Sequence, residues 1–242
     1  MVDGMKIEPL GDSALTVCIG GSFEKDPEGL LKEVLTALRR IEAAKIPGIV
    51  EGVPALASLG IFYDAAPVRE EGIEPEKIFG WVSERISNAL SVKDTNIDRA
   101  SSAGRVVEVP VCYDPEFALD LAEVEKHTGL NAAQIVERHS VAEYLVHCLG
   151  FTPGFPYLSG LPGELATPRR AVPRTKVPAG SVAIGGRQAG IYPLSSPGGW
   201  NIIGRTSLVL FDANREEPAL LHPGDRVKFR PISRDKFERS TS

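Results

Sequence analysis

Residues 150–206 read GFTPGFPYLSGLPGELATPRRAVPRTKVPAGSVAIGGRQAGIYPLSSPGGWNIIGRT. Glycine and proline at this density can mark disorder. Here Phe151, Phe155, Tyr157, Leu158, Val182, Ile184, Ile191, Tyr192, Trp200, Ile202 and Ile203 are spread through the run, which is too apolar to stay solvated. The stretch is therefore expected to be ordered, as short strands joined by tight loops whose prolines stiffen the turns. It carries six basic residues, Arg169, Arg170, Arg174, Lys176, Arg187 and Arg205, against one acid, Glu164. The whole chain has a net charge of −5, so this segment is a local exception. Clustered guanidinium groups beside glycine backbone suit a carboxylate or a phosphate.

Outside this stretch, the 242 residues and 43% hydrophobic content supply one large core or two ordinary ones. Residues 1–15 lack the apolar run of a signal peptide, and no segment reaches the length of a membrane span, so a cytoplasmic protein with no membrane partner is expected. Cys18, Cys112 and Cys148 are far apart and without metal-ligand spacing, which predicts free thiols and no metal. The acidic balance argues against nucleic acid as a partner.

In chain order, residues 6–20 read as two short strands broken at Leu10-Gly11-Asp12, with Ala14, Val17 and Ile19 turned inward. Asp26 and Pro27 then open a helix whose stripe is Leu30, Leu31, Val34, Leu35, Leu38 and Ile41, stopped by Pro47-Gly48. Residues 49–63 give two more strands and residues 75–90 a second helix. The order ββαββα predicts a small α+β domain over residues 1–92, a sheet with two helices on one face. Polar residues 93–104 lack periodicity and are expected to link it to a second domain, residues 105–242. There, residues 105–112 alternate as a strand, Asp114-Pro115-Glu116 is expected to open a helix, and Asn131 and Gln134 stand at capping-box spacing for another ending at His139. Residues 141–149, 181–184, 207–211 and 226–230 are expected to be strands of a mainly-β barrel.

The segments GFTPGFPYL, PRTKVPAGSVAIGG, IYPLSSPGGWNIIGRT and HPGDRVKF, with LGDSAL and VPALASLGIFYD nearer the start, closely resemble the allophanate hydrolase subunit 1 family, over almost the whole chain. That family includes the B component of bacterial ATP-dependent 5-oxoprolinase and the Kip-type inhibitor of a sporulation sensor kinase. The resemblance implies a cyclophilin-like barrel for the second domain.

The candidate contacts for a small-molecule substrate are Arg174, Arg187, Gln188 and Arg205 for an anion or amide, with Tyr157, Tyr192 and Trp200 as walls. The loop residues Phe151 and Phe155 and the turn residues Ser196, Gly198 and Gly199 are expected to line the same cleft, with His147 just before it. Arginines can also brace loops through backbone carbonyls, and that reading stays open for each of them. His147 and Cys148 are neighbours on a strand and point to opposite faces, so they form no catalytic dyad. His127, His139 and His222 are expected to be solvated. Ser181 in AGSVA lacks the second glycine of a nucleophile elbow, and Gly185-Gly186 lacks the Lys and Ser or Thr of a phosphate loop. The basic stretch holds no carboxylate pair for acid/base work, so the catalytic residues are not identified.

The resemblance implies one component of a 5-oxoprolinase, opening 5-oxo-L-proline to L-glutamate with ATP used by the assembled complex and a C-type barrel protein and an A-type protein as partner subunits. Two alternatives are a Kip-type inhibitor bound to a histidine kinase and the carboxyltransferase half of a urea carboxylase. No covalently bound cofactor is expected, since the Met5-Lys6 pair lies at the N-terminus rather than in a biotin-carrier context.

Overall fold

Alternation of apolar and small residues sets the first sheet. Strands β1 (Lys6–Pro9) and β2 (Ala14–Cys18) form an antiparallel pair, and β3 (Ile49–Pro54) and β4 (Ser58–Tyr63) a second. β2 pairs with β4, so the sheet runs β1-β2-β4-β3. Leu15 and Val17 of β2 and Leu59, Ile61 and Tyr63 of β4 share its buried face. Helix α1 (Pro27–Ala43) packs there through Leu30, Val34, Ala37 and Ile41, and its first turn is closed by the Asp26 side chain, which accepts from the Gly29 amide at 2.9 Å. Leu15 is a core residue that the inward set of Ala14, Val17 and Ile19 left out.

The expected ββαββα order is incomplete. A short helix, α2 (Ala65–Glu70), stands between β4 and the helix α3 (Ile78–Ser91), so β4 is followed by two helices. Asp64 caps α2 by accepting from the Ala66 amide, and Pro67 sits in its first turn, where a missing N–H does no harm. At six residues it is too short for helical periodicity to register. Its Val68 joins the core built by Ile78, Val82, Ile86 and Leu90 of α3.

The computed structural model describes residues 5–23, 25–92 and 104–241. The expected linker 93–104 thus lies outside the described residues except for Gly104. The chain divides into two compact units, 1–102 and 103–242.

The second unit is built on a seven-stranded sheet in the order β12-β9-β10-β7-β6-β13-β5. Its strands are β5 (Val106–Val111), β6 (Glu143–Leu149), β7 (Pro156–Ser159), β9 (Ser181–Gly185), β10 (Gln188–Ile191), β12 (Asn201–Arg205) and β13 (Arg226–Pro231). All neighbours are antiparallel except β5 and β13. At the two edges, the Cys112 amide donates to the Arg205 carbonyl at 2.8 Å and the Arg205 amide to the Cys112 carbonyl at 2.9 Å. That bridge nearly closes the sheet into the barrel the family resemblance implies. A two-stranded sheet, β8 (Arg174–Val177) with β11 (Ser196–Gly198), stands apart.

Two expected elements are corrected. Asp114-Pro115-Glu116 makes a turn, the Asp114 carbonyl accepting from the Phe117 and Ala118 amides, and helix α4 starts later, at Leu121–Thr128. Residues 207–211 are not a strand but an irregular segment ending in an isolated bridge between Phe211 and Ala219, while the neighbouring strand is β12. Helix α5 (Ala132–Val141) carries the expected capping box of Asn131 and Gln134. The chain ends in helix α6 (Arg234–Thr241). No helix among the described residues is long and apolar enough to cross a membrane.

Candidate functional site

The glycines of the signature make seats for aromatic rings. A Cβ on Gly185 would lie 2.7 Å from the Trp200 indole, one on Gly190 2.7 Å from Phe155, and one on Gly198 2.3 Å from the Tyr192 hydroxyl. With no side chain at those points, the rings lie directly on backbone and meet one another edge to face. Phe155 has its centroid 5.2 Å from Tyr192 and 5.7 Å from Trp200. Phe155, Tyr192 and Trp200 are buried, together with Val177, Ala183 and Ile202. Phe151 is different: it is 60% exposed, and its φ of 67° is left-handed in a residue with a Cβ. The loop is held in that shape by bonds from the Thr152 amide to the Gly150 carbonyl and from the Phe155 amide to the Thr152 carbonyl.

Above the rings lies a cleft of about 340 Å³. Seven of the residues expected from sequence line it: Phe151, Phe155, Tyr157, Tyr192, Gly198, Gly199 and Trp200. Arg169, Arg170, Pro173 and Pro197 complete the lining. Residues 168–173 form one bank, tied to the other by the Arg170 amide, which donates to the Gly199 carbonyl at 2.8 Å, and by Asn201 Nδ2, which donates to the Pro168 carbonyl at 2.8 Å. Arg169 stands with its guanidinium carbon 5.7 Å from the Trp200 ring centroid. Burial raises the Tyr157 and Tyr192 hydroxyls, and the positive charge of Arg169 offsets part of that rise at both.

Below the bank is a residue that the sequence reading missed. Asp120, at the start of α4, is 2% exposed, and its carboxylate accepts from Arg170, from both Nη atoms of Arg174 and from the Ile202 amide. Its own amide donates to the Ile202 carbonyl at 2.8 Å. A buried carboxylate is stable only with such donors around it. Nothing near position 120 announces this role, because its partners lie 50 to 82 residues away.

The remaining expected contacts do not line the cleft. Arg174 has its anion within the chain, in Asp120. Arg205 donates from Nε to the Ala179 carbonyl at 2.9 Å and braces that loop. Arg187 is exposed at the two-residue Gly186-Arg187 turn between β9 and β10, where Gly186 at φ 62° takes the position that demands positive φ. Gln188, beside that turn, and Ser196 of β11 are half-buried outside the lining. His147 sits in the irregular register between β6 and β7, fully buried, with Nε2 2.8 Å from Ser159 Oγ, and burial pushes its pKa down to about 4. The adjacent Cys148 thiol is pushed up to about 11 by burial, which leaves it un-ionised at neutral pH.

His139 is a further correction. Expected to be solvated, it is fully buried, stacked on Phe229 at 4.4 Å and bonded through Nδ1 to the Tyr113 hydroxyl at 2.8 Å. It occupies the inward face of α5 beside Ile135, so helical spacing could have placed it. No cluster of potential metal ligands is present among the described residues.

Residues 5–221 match the carboxyltransferase domain, subdomain C and D. The chain belongs to that family. This bears out the likeness read from the signature segments. Its carboxyltransferase-domain relatives include the B component of 5-oxoprolinase from Bacillus subtilis, 41% identical over 96% of this chain and 95% of that protein. The corresponding B component of 5-oxoprolinase from Escherichia coli O157:H7 is 46% identical over 77% of this chain and 79% of its own length. Among solved structures, TTHA0988 is similar with a TM-score of 0.74 at 34% identity, covering 91% of this chain. This chain spans 40% of that longer one.

Proposed function

We propose that this carboxyltransferase-family chain is the B component of a multi-subunit, ATP-dependent 5-oxoprolinase that opens 5-oxo-L-proline to L-glutamate. The observation that carries the reading is the 41% identity to a 5-oxoprolinase B component across 95% of that protein. The cleft is compatible with it in kind. Aromatic walls suit a small ring, and an arginine at the rim suits a carboxylate or the charge that develops on a lactam carbonyl during activation. Among the described residues lining the cleft there is no carboxylate and no histidine to move a proton. The chain therefore supplies binding surface and charge, and the acid/base groups come from a C-type barrel protein or an A-type protein, with ATP consumed by the assembly in the cytoplasm.

Reconstitution tests this. The purified chain alone should release no glutamate from 5-oxoproline and ATP, and addition of both partner proteins should start turnover. A complete, folded mixture that makes no glutamate overturns the reading. Co-purification with a histidine kinase or with a biotin protein would replace it with kinase inhibition or carboxyl transfer.

A further inference from the structure

We infer that Arg169 is the anion-binding group of the cleft, that its ligand is a small ring bearing a carboxylate, and that Asp120 positions the bank from which it reaches. Each other arginine of the signature has another place. Arg174 and Arg170 are held by Asp120, Arg205 by the Ala179 carbonyl, and Arg187 stands outside the cleft lining. Arg169 lines the cleft, is exposed, and has no carboxylate partner among the described residues. It is also not free to swing at random. Its chain neighbour Arg170 is pinned at the side chain by Asp120 and at the amide by the Gly199 carbonyl, and Pro168 is held through its carbonyl by Asn201. Two anchored residues therefore bracket one unanchored guanidinium at the mouth of an aromatic slot.

That arrangement has a chemical consequence. The exposed Phe151 ring and the half-buried Tyr157 ring offer an apolar, polarisable wall that a flat five- or six-membered ring can cover, while a guanidinium at the rim takes a carboxylate in its planar fork. A ligand of this kind satisfies both at once. A bare ring leaves Arg169 unused, and a bare inorganic anion leaves the Phe151 and Tyr157 rings uncovered. The asymmetry between Arg169 and Arg170 follows from the same geometry: Asp120, shared with Arg174, holds the Arg170 guanidinium and leaves that of Arg169 toward solvent.

The identity of the ring as a lactam rests on the 5-oxoprolinase reading, whereas the anion seat does not, so the test separates them. Binding to the full chain is measured by calorimetry with 5-oxo-L-proline, with 2-pyrrolidinone, which is the same ring without the carboxylate, and with benzoate. Arg169→Gln should weaken 5-oxoproline about 10- to 100-fold and leave the weak binding of 2-pyrrolidinone unchanged, and Arg169→Lys should fall between. Asp120→Asn should weaken 5-oxoproline too, without changing its ratio to 2-pyrrolidinone as strongly as Arg169→Gln does. If benzoate binding depends on Arg169 and 5-oxoproline is ignored, the seat stands and the lactam reading falls. If Arg169→Gln binds both carboxylates as the parent does, or the parent binds neither, the inference is overturned, whatever the reconstituted complex turns over.

Discussion

Asp120 and Arg174 form a two-pronged ion pair, Nη1 to Oδ2 at 2.6 Å and Nη2 to Oδ1 at 2.8 Å, between residues 54 apart in the chain. With Arg170 and the Ile202 amide on the same carboxylate, the pair fastens the start of α4 to β8 and β12 beneath the cleft. Removing the acid leaves two guanidinium groups and a buried amide without their acceptor. Asp120→Ala should lower unfolding stability by about 3 kcal/mol. Arg174→Ala should lower it less, roughly 1 to 3 kcal/mol, because Asp120 keeps its other donors. Urea midpoints read both, and unchanged midpoints would show that the cluster is not a structural anchor.

Arg187 supplies the contrast. Sequence alone groups it with Arg174, yet it is exposed at a hairpin tip whose geometry is set by Gly186. Arg187→Ala should stay within about 0.5 kcal/mol of the parent in stability. It should also bind 5-oxoproline with the parent's affinity, and a loss of binding at normal stability would place the anion seat at the β9–β10 turn instead.

The contrast between these two arginines marks what was legible in the sequence. Local rules carried well: the Asp26 cap, the Asn131 and Gln134 capping box, and the order of the 150–206 stretch all depend on residues near one another. That Phe151, Phe155, Tyr157, Tyr192 and Trp200 line one cleft was legible too, since these rings fall in a single glycine-rich run. Which arginine faces solvent was not. That choice is made by Asp120, whose ion pairs close across 50 and 54 residues and leave no periodic trace. His139 and α2 failed for different reasons, one a polar residue on an inward helical face, the other a helix of under two turns.

Gly198 tests the ring-on-backbone seat. A methyl there would lie 2.3 Å from the Tyr192 hydroxyl, and Tyr192 is 2% exposed with Phe155 behind it, so it has no room to retreat. Gly198→Ala should cost about 1 to 3 kcal/mol of stability and weaken 5-oxoproline binding. Gly163→Ala is the control, since a Cβ there meets nothing within 4 Å. Equal behaviour of the two variants would mean that the Tyr192 contact is not tight in solution.

Phe151 combines an unfavourable backbone with a site position. A non-glycine residue at φ 67° carries strain of about 1 to 2 kcal/mol. Its ring leans on Phe155 and Tyr192, at centroid distances of 5.6 and 6.3 Å. Phe151→Gly relieves the strain and removes a cleft wall together. Thermal stability should be unchanged or higher while 5-oxoproline affinity falls. A variant that melts lower and binds normally would make Phe151 a packing residue with no part in the site.

Acid stability reports on the two buried histidines. Burial pushes His139 down to about 3 and His147 to about 4, so both are neutral in the folded protein near pH 7. In the unfolded chain each takes up a proton near pH 6.5. Between that value and the folded pKa, the unfolded state binds more protons, so stability falls as pH falls, by roughly 1.4 kcal/mol per pH unit for each histidine. The contribution is fully present above about pH 6.5 and is lost by about pH 3 to 4. The carboxylates whose pKa is lowered by partners, Glu108, Glu143 and Asp212, act in the same direction only at lower pH, below their unfolded values near 4. The window from pH 6 to 5 therefore isolates the histidines. His139→Phe keeps a ring against Phe229 but leaves the Tyr113 hydroxyl without its partner, so it should be less stable at pH 7, by about 1 to 3 kcal/mol. Its loss between pH 6 and 5 should nevertheless be smaller than the parent's. Urea titrations at the two pH values measure the difference, and parallel slopes for parent and variant would mean that His139 takes up its proton in the folded state.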